Sequence, residues 1–194
     1  MAVPFHPLRC LQARALAGLL ALAFACLTVP VAHADTIAFR SGELHEEEGE
    51  LMLSAEFGVV INPTLEDALN NGIPLYFNLE FTLTRPRWYW LDDKVVDSVT
   101  TYRVSYAPLT RQYRLTSGLL AQSFATLSEV ERFLSRVNSR PVVRVADLAK
   151  NTLYDAAVRL SLDTSQLPKP LQISALGSRD WQLSSDWQRW SFTP

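Results

Sequence analysis

Past residue 34 this chain carries no cysteine and only one histidine. Cys10, Cys26, His6 and His33 all lie in the first 34 residues. Residues 35–194 therefore have no disulfide, no thiol nucleophile and no cysteine-ligated metal. Any Ser-His-Asp triad would have to use His45. No Gly-x-Ser-x-Gly elbow precedes a helix, and no Asp-x-Asp-x-Asp-Gly loop gathers a hard cation. Basic charge is scarce as well. Without Arg9 and Arg14, the 18 basic residues fall to 16 against 20 acidic ones, a net charge of −4. An acidic chain of this kind lacks the basic face that nucleic-acid binding needs. No cofactor-binding motif is present.

The first 34 residues explain part of this distribution. His6, Arg9 and Arg14 make a basic front, and Ala15 to Leu27 is almost wholly apolar. Ala32-His33-Ala34 puts small residues at −3 and −1 of a cut between Ala34 and Asp35. This is the pattern of a secretory signal peptide and predicts a periplasmic protein. Two rival readings are weaker. Leu22-Ala23-Phe24-Ala25-Cys26 is a poor lipoprotein box because of Phe24. The apolar run falls short of the ~20 residues of a spanning helix, and Pro30 follows it. Were the leader retained as an inner-membrane anchor, residues 35–194 would be a tethered periplasmic domain.

Those residues are enough for one domain with a full core and too few for two comfortable ones. Strand periodicity dominates them. Leu51, Leu53, Ala55, Phe57, Val59 and Ile61 alternate with small or polar partners. Leu75, Phe77, Leu79, Phe81 and Leu83 repeat the pattern, as do Tyr102, Val104 and Tyr106. Ala156, Val158, Leu160 and Leu162 form a fourth run. Shorter strands are expected at Thr36–Leu44, Arg87–Leu91, Arg111–Leu115, Leu119–Phe124, Leu171–Ala175, Trp181–Ser184 and Trp187–Phe192. Turns are read at Glu47-Glu48-Gly49, Asp92-Asp93-Lys94 and Pro108-Leu109-Thr110. Pro86 marks an edge or a bulge.

Two short helices are expected. Asn62 caps the first, with Pro63 at its first position and Gly72 past its end. The second spans Leu127 to Val137, opened by a capping box of Thr126 with Glu129 or Ser128 with Glu131, and stopped by Asn138-Ser139-Arg140-Pro141. Leu167-Pro168-Lys169-Pro170-Leu171 reads as a stiff crossing between strands. Many strands with two short helices predict a mainly all-β, immunoglobulin-like, two-layer antiparallel β-sandwich, with a β-barrel as the alternative.

Candidate chemistry is sparse. His45 and the glutamates Glu46, Glu47, Glu48 and Glu50 read first as a solvated acidic hairpin tip. Asp92, Asp93 and Asp97 are the carboxylates open to glycoside chemistry, but Asp92-Asp93 is first a turn signal. The distinctive segment is Arg85-Pro86-Arg87-Trp88-Tyr89-Trp90. On a strand it would place Trp88 and Trp90 on one face and Arg87 and Tyr89 on the other. One of those faces would then be free to anchor a partner. Trp181, Trp187 and Trp190 read as a C-terminal hairpin that seals the sandwich.

The leader, Arg87-Trp88-Tyr89-Trp90, Ser161-Leu162-Asp163 with Leu167-Pro168-Lys169-Pro170-Leu171, and the closing Trp181-x-Leu183-x-Ser185-x-Trp187-x-x-Trp190 together resemble one family. It comprises short exported Gram-negative proteins grouped as domain of unknown function 4390, often labelled proline-rich signal peptide proteins. The resemblance supplies no catalytic or binding residue. It implies an envelope partner, in the form of a membrane sensor kinase encoded nearby. The expected function is a non-enzymatic periplasmic β-sandwich that acts through protein contacts at the cell envelope. Arg85, Arg87, Trp88, Tyr89 and Trp90 are its candidate surface. The alternatives are a carbohydrate- or peptidoglycan-binding module using Trp88, Trp90 or Trp187, and a hydrolase using His45 or the aspartates.

Overall fold

The computed structural model describes residues 37–87, 89 and 93–194. The leader and the Ala34–Asp35 junction lie outside these residues. So do Trp88, Trp90, Leu91 and Asp92. The described residues belong to one compact unit, Ala34–Pro194.

Two antiparallel sheets hold nine strands among the described residues. The smaller sheet is built from β1 (Ala38–Glu47), β2 (Glu50–Gly58) and β7 (Arg136–Arg144), in the order β1-β2-β7. The larger contains β3 (Leu75–Arg85), β4 (Asp93–Ala107), β5 (Gln112–Ser117), β6 (Leu120–Phe124), β8 (Tyr154–Leu162) and β9 (Gln188–Phe192). Its order is β6-β5-β4-β3-β8-β9. The molecule is a two-layer β-sandwich, and among the described residues neither sheet closes into a barrel.

The period-two runs account for the core. Along β3, Leu75, Phe77, Leu79, Phe81 and Leu83 are buried, while Tyr76 to Thr84 on the other face are half-exposed. Leu51, Leu53, Ala55 and Phe57 of β2 join them in a single apolar cluster with Val158 and Leu160 of β8. Filling one such cluster from both sheets is what drives the layers together.

The turn between β1 and β2 is two residues long. Glu48 and Gly49 take φ of 52° and 79°, the left-handed pair a tight hairpin demands. Close approach sets Gly42 of β1. A Cβ there would sit 2.8 Å from the Phe39 ring and 3.3 Å from Cη2 of Trp190, which comes across from β9. Trp190 thus closes the gap between the two sheets.

Three α-helices are present among the described residues, one more than expected. The helix α1 (Pro63–Asn70) is capped by Asn62, whose Oδ1 accepts from Leu65 N at 3.0 Å. The helix α2 (Leu127–Leu134) opens with the Thr126–Glu129 capping box. It ends three residues earlier than expected, and Val137 is a buried residue of β7 instead. Its C-terminal turn holds the end of β2 and the segment after it. Glu131 Oε1 accepts from Ile61 N at 2.7 Å, and Ser135 O accepts from Phe57 N at 2.8 Å.

The third helix, α3 (Lys169–Gly177), replaces the strand expected at Leu171–Ala175 and takes in the end of the expected crossing. Lys169 and Pro170 occupy its first two positions, where a missing N–H costs nothing. The strand β7 was not expected, because Ser139 (φ 39°) and Pro141 interrupt its alternation. As an edge strand it tolerates the proline.

The closing segment is not the expected hairpin. Trp181 ends a 3₁₀ turn (Arg179–Trp181), and Ser184 makes one isolated bridge to Ser161. Buried Ser185 interrupts the ladder. Its N–H donates to Leu160 O at 2.8 Å, while its Oγ accepts from Leu160 N at 3.0 Å. A side chain here takes the place of a ladder carbonyl. Only then does the chain enter β9, which pairs with β8.

Candidate interaction surface

β3 and β4 form a long hairpin, in whose connection Pro86, Arg87 and Tyr89 are described. Pro86 has no N–H to give the ladder, and β3 stops at Arg85. The strand expected at Arg87–Leu91 does not form at its described positions. Arg87 and Tyr89 lie outside the strands, in the connection to β4. Alternation between two faces therefore does not apply to them. Tyr89 is 67% exposed.

The two arginines converge on Asp93. Arg85 is its cross-strand partner, and Arg85 Nη2 donates to Asp93 Oδ2 at 2.6 Å. Arg87 Nη2 donates to the same oxygen, also at 2.6 Å. Charge-assisted bonds of this length are the strong kind. The Arg85 hydrogen bond, joined by the charge and hydrogen bond of Arg87, holds the Asp93 carboxyl below its ordinary range against partial desolvation. From the sequence the arginines are a displayed surface and Asp93 a turn residue or a catalytic carboxylate. In the folded chain these three residues are one clamp at the base of the loop.

The other candidates are dispersed. His45 sits on β1 opposite Met52, with Nε2 3.8 Å from Glu47 Oε2. Glu46, Glu47, Glu48 and Glu50 are exposed around the β1–β2 turn. Lys94 Nζ pairs with Asp97 Oδ2 at 3.0 Å, so Asp93 and Asp97 serve different cations. Asp92, Trp88 and Trp90 lie outside the described residues. Trp187 carries the Arg159 guanidinium 5.2 Å from its ring centroid, and Arg159 Nη2 pairs with Glu80 Oε1 at 3.1 Å on the outer face of the large sheet.

A feature the sequence reading missed lies at the far end of the large sheet. Phe133 of α2 stands against Tyr102 and Phe124, with ring centroids 6.4 and 5.7 Å away. Beside it runs an open groove of about 480 Å³ lined by Tyr102, Leu115, Leu120, Phe133 and Arg140, among others. Leu120, one of the lining residues, is largely exposed.

A two-sheet β-sandwich with an arginine-clamped hairpin loop is the class of protein these features define. The chain belongs to the family described as a domain of unknown function, DUF4390, whose model matches residues 34–191. No curated protein and no solved structure matches it.

Proposed function

We propose that residues 35–194 work as a non-enzymatic β-sandwich that acts through protein contacts at the cell envelope, after export directed by residues 1–34. The partner is an envelope or inner-membrane protein, and the membrane sensor implied by the family resemblance is the first choice. The observation that carries this reading is the clamp. Asp93 engages both arginines at the root of the β3–β4 loop, and Tyr89 stands largely exposed above it. An aromatic side chain on an anchored loop loses little entropy on binding and suits an interface anchor. Among the described residues no helix is long and apolar enough to cross a membrane.

In-cell cross-linking tests the proposal. The wild-type chain should give one major envelope adduct, and the Arg87→Ala/Tyr89→Ala double variant should lose it. An unchanged adduct in the double variant, or none with either chain, contradicts it.

A further inference from the structure

A sandwich with open sheets has four edge strands, here β1, β7, β6 and β9. Unpaired edges invite another chain, and proteins blunt them with charge, proline or bulges. Three of these edges are blunted. β1 carries Arg40, Glu43, His45, Glu46 and Glu47, with a bulge at Phe39/Ser41. β7 carries Arg136, Arg140, Arg144 and Pro141. β9 carries Arg189. β6, Leu-Ala-Gln-Ser-Phe, has no charge and no proline, and its register with β5 runs without a break. Leu120 to Ser123 are exposed. Among the described residues no backbone group of β6 bonds to backbone beyond the sheet.

The two faces beside this edge differ in chemistry. Leu120 and Gln122 share a face with Leu115 and line the apolar groove, where Arg140 Nη1 donates to Tyr102 Oη at 3.5 Å. On the opposite face Arg114 lies across from Ser123, and Arg103 lies one strand further in. Among the described residues none of Arg103, Arg114 and Arg140 has a carboxylate within 4.0 Å. Strands are about 4.8 Å apart, so a strand added to β6 lies about 10 Å from β5. The small Ala121 and Ser123 leave Arg114 room to reach across that gap.

We propose that β6 accepts an extended segment of a partner protein as a seventh strand of the large sheet, and that this segment alternates apolar and acidic residues. Its apolar row fills the groove beside Phe133, and its acidic row faces Arg114 and Arg103. Main-chain bonds supply affinity, and the alternating rows supply specificity. A second copy of this chain is disfavoured. Pairing β6 with its own copy brings arginines together on both faces, with no acid on β5 or β6 to offset them, and like charges across an interface are costly. The site stands apart from the β3–β4 loop, because β5 meets β4 over Arg103–Ala107, the end of β4 remote from Asp93.

The test is an NMR titration of the purified protein with three blocked octapeptides. The first alternates Val and Glu, the second alternates Val and Lys, and the third is the first with alternate amides N-methylated. The Val/Glu peptide should shift and protect the amides of Ala121–Phe124, with the other two weaker by roughly tenfold or more. Arg103→Glu/Arg114→Glu should reverse the preference towards Val/Lys. The Arg87→Ala/Tyr89→Ala variant should titrate as wild type, which separates this proposal from the loop's role. Equal binding of all three peptides, shifts confined to β9, no shift at β6 up to roughly millimolar peptide, or a dimer formed through β6 would each overturn it.

Discussion

Asp93 shows how far one residue's role can move between sequence and fold. Beside Asp92 it reads as a turn marker or a catalytic carboxylate. Its actual partners are Arg85, fixed opposite it by strand register, and Arg87, brought back by the proline bend. Its folded pKa lies below the unfolded value, so the clamp contributes stability above the unfolded pKa. That contribution is lost as pH falls through the folded pKa. Asp93→Asn should therefore be less stable than wild type at neutral pH, and the gap should close below about pH 4, where an unfolded aspartate titrates. Urea midpoints of both proteins across pH 2–7, a range spanning carboxylate titration (about pH 4), check this. A gap that stays constant with pH would mean that the ion pair is not its source.

Among the elements, legibility followed periodicity. β3 and β8 declared themselves because every second residue is apolar and lies in the core. β7 stayed hidden. Its Ser139 and Pro141 break the alternation, and bulges in its pairing with β2 absorb the mismatch. α3 was misread because Leu171, Ile173 and Ala175 fit period two equally well. In the helix only Ala175 is buried, while Ile173 and Leu176 face outward. The α1 cap was legible down to the residue. What the sequence could not show is that Asn62 is buried and donates through Nδ2 to Asp180 O at 2.7 Å, joining α1 to the 3₁₀ turn before Leu183. Asn62→Ala removes the cap and this tie together. It should cost about 1–3 kcal/mol, measured by urea unfolding. Asn62→Asp keeps the cap acceptor but cannot donate to Asp180 O, so its loss reports the tie alone.

At the scale of the whole molecule, the fold class was readable and the functional surfaces were only partly so. The loop stood out for its unusual composition, although its clamp did not. The groove beside β6 could not be read at all, since it joins Tyr102, Leu115, Phe133 and Arg140 from four separate elements. Closure of the sandwich depends on the contact of Gly42 with Phe39 and Trp190. Gly42→Ala forces those rings to shift and should cost about 1–3 kcal/mol by overpacking. Gly177→Ala, with nothing within 4 Å of the new Cβ, is the control and should unfold at the wild-type denaturant midpoint or above it.

Photo-cross-linking from position 89 in intact cells tests the central claim, protein contact through the β3–β4 loop, most directly. A photoreactive residue replacing Tyr89 should capture one envelope protein, and the same residue replacing Glu48 at the β1–β2 turn should not. Equal capture from both positions, or none from position 89, would contradict the account.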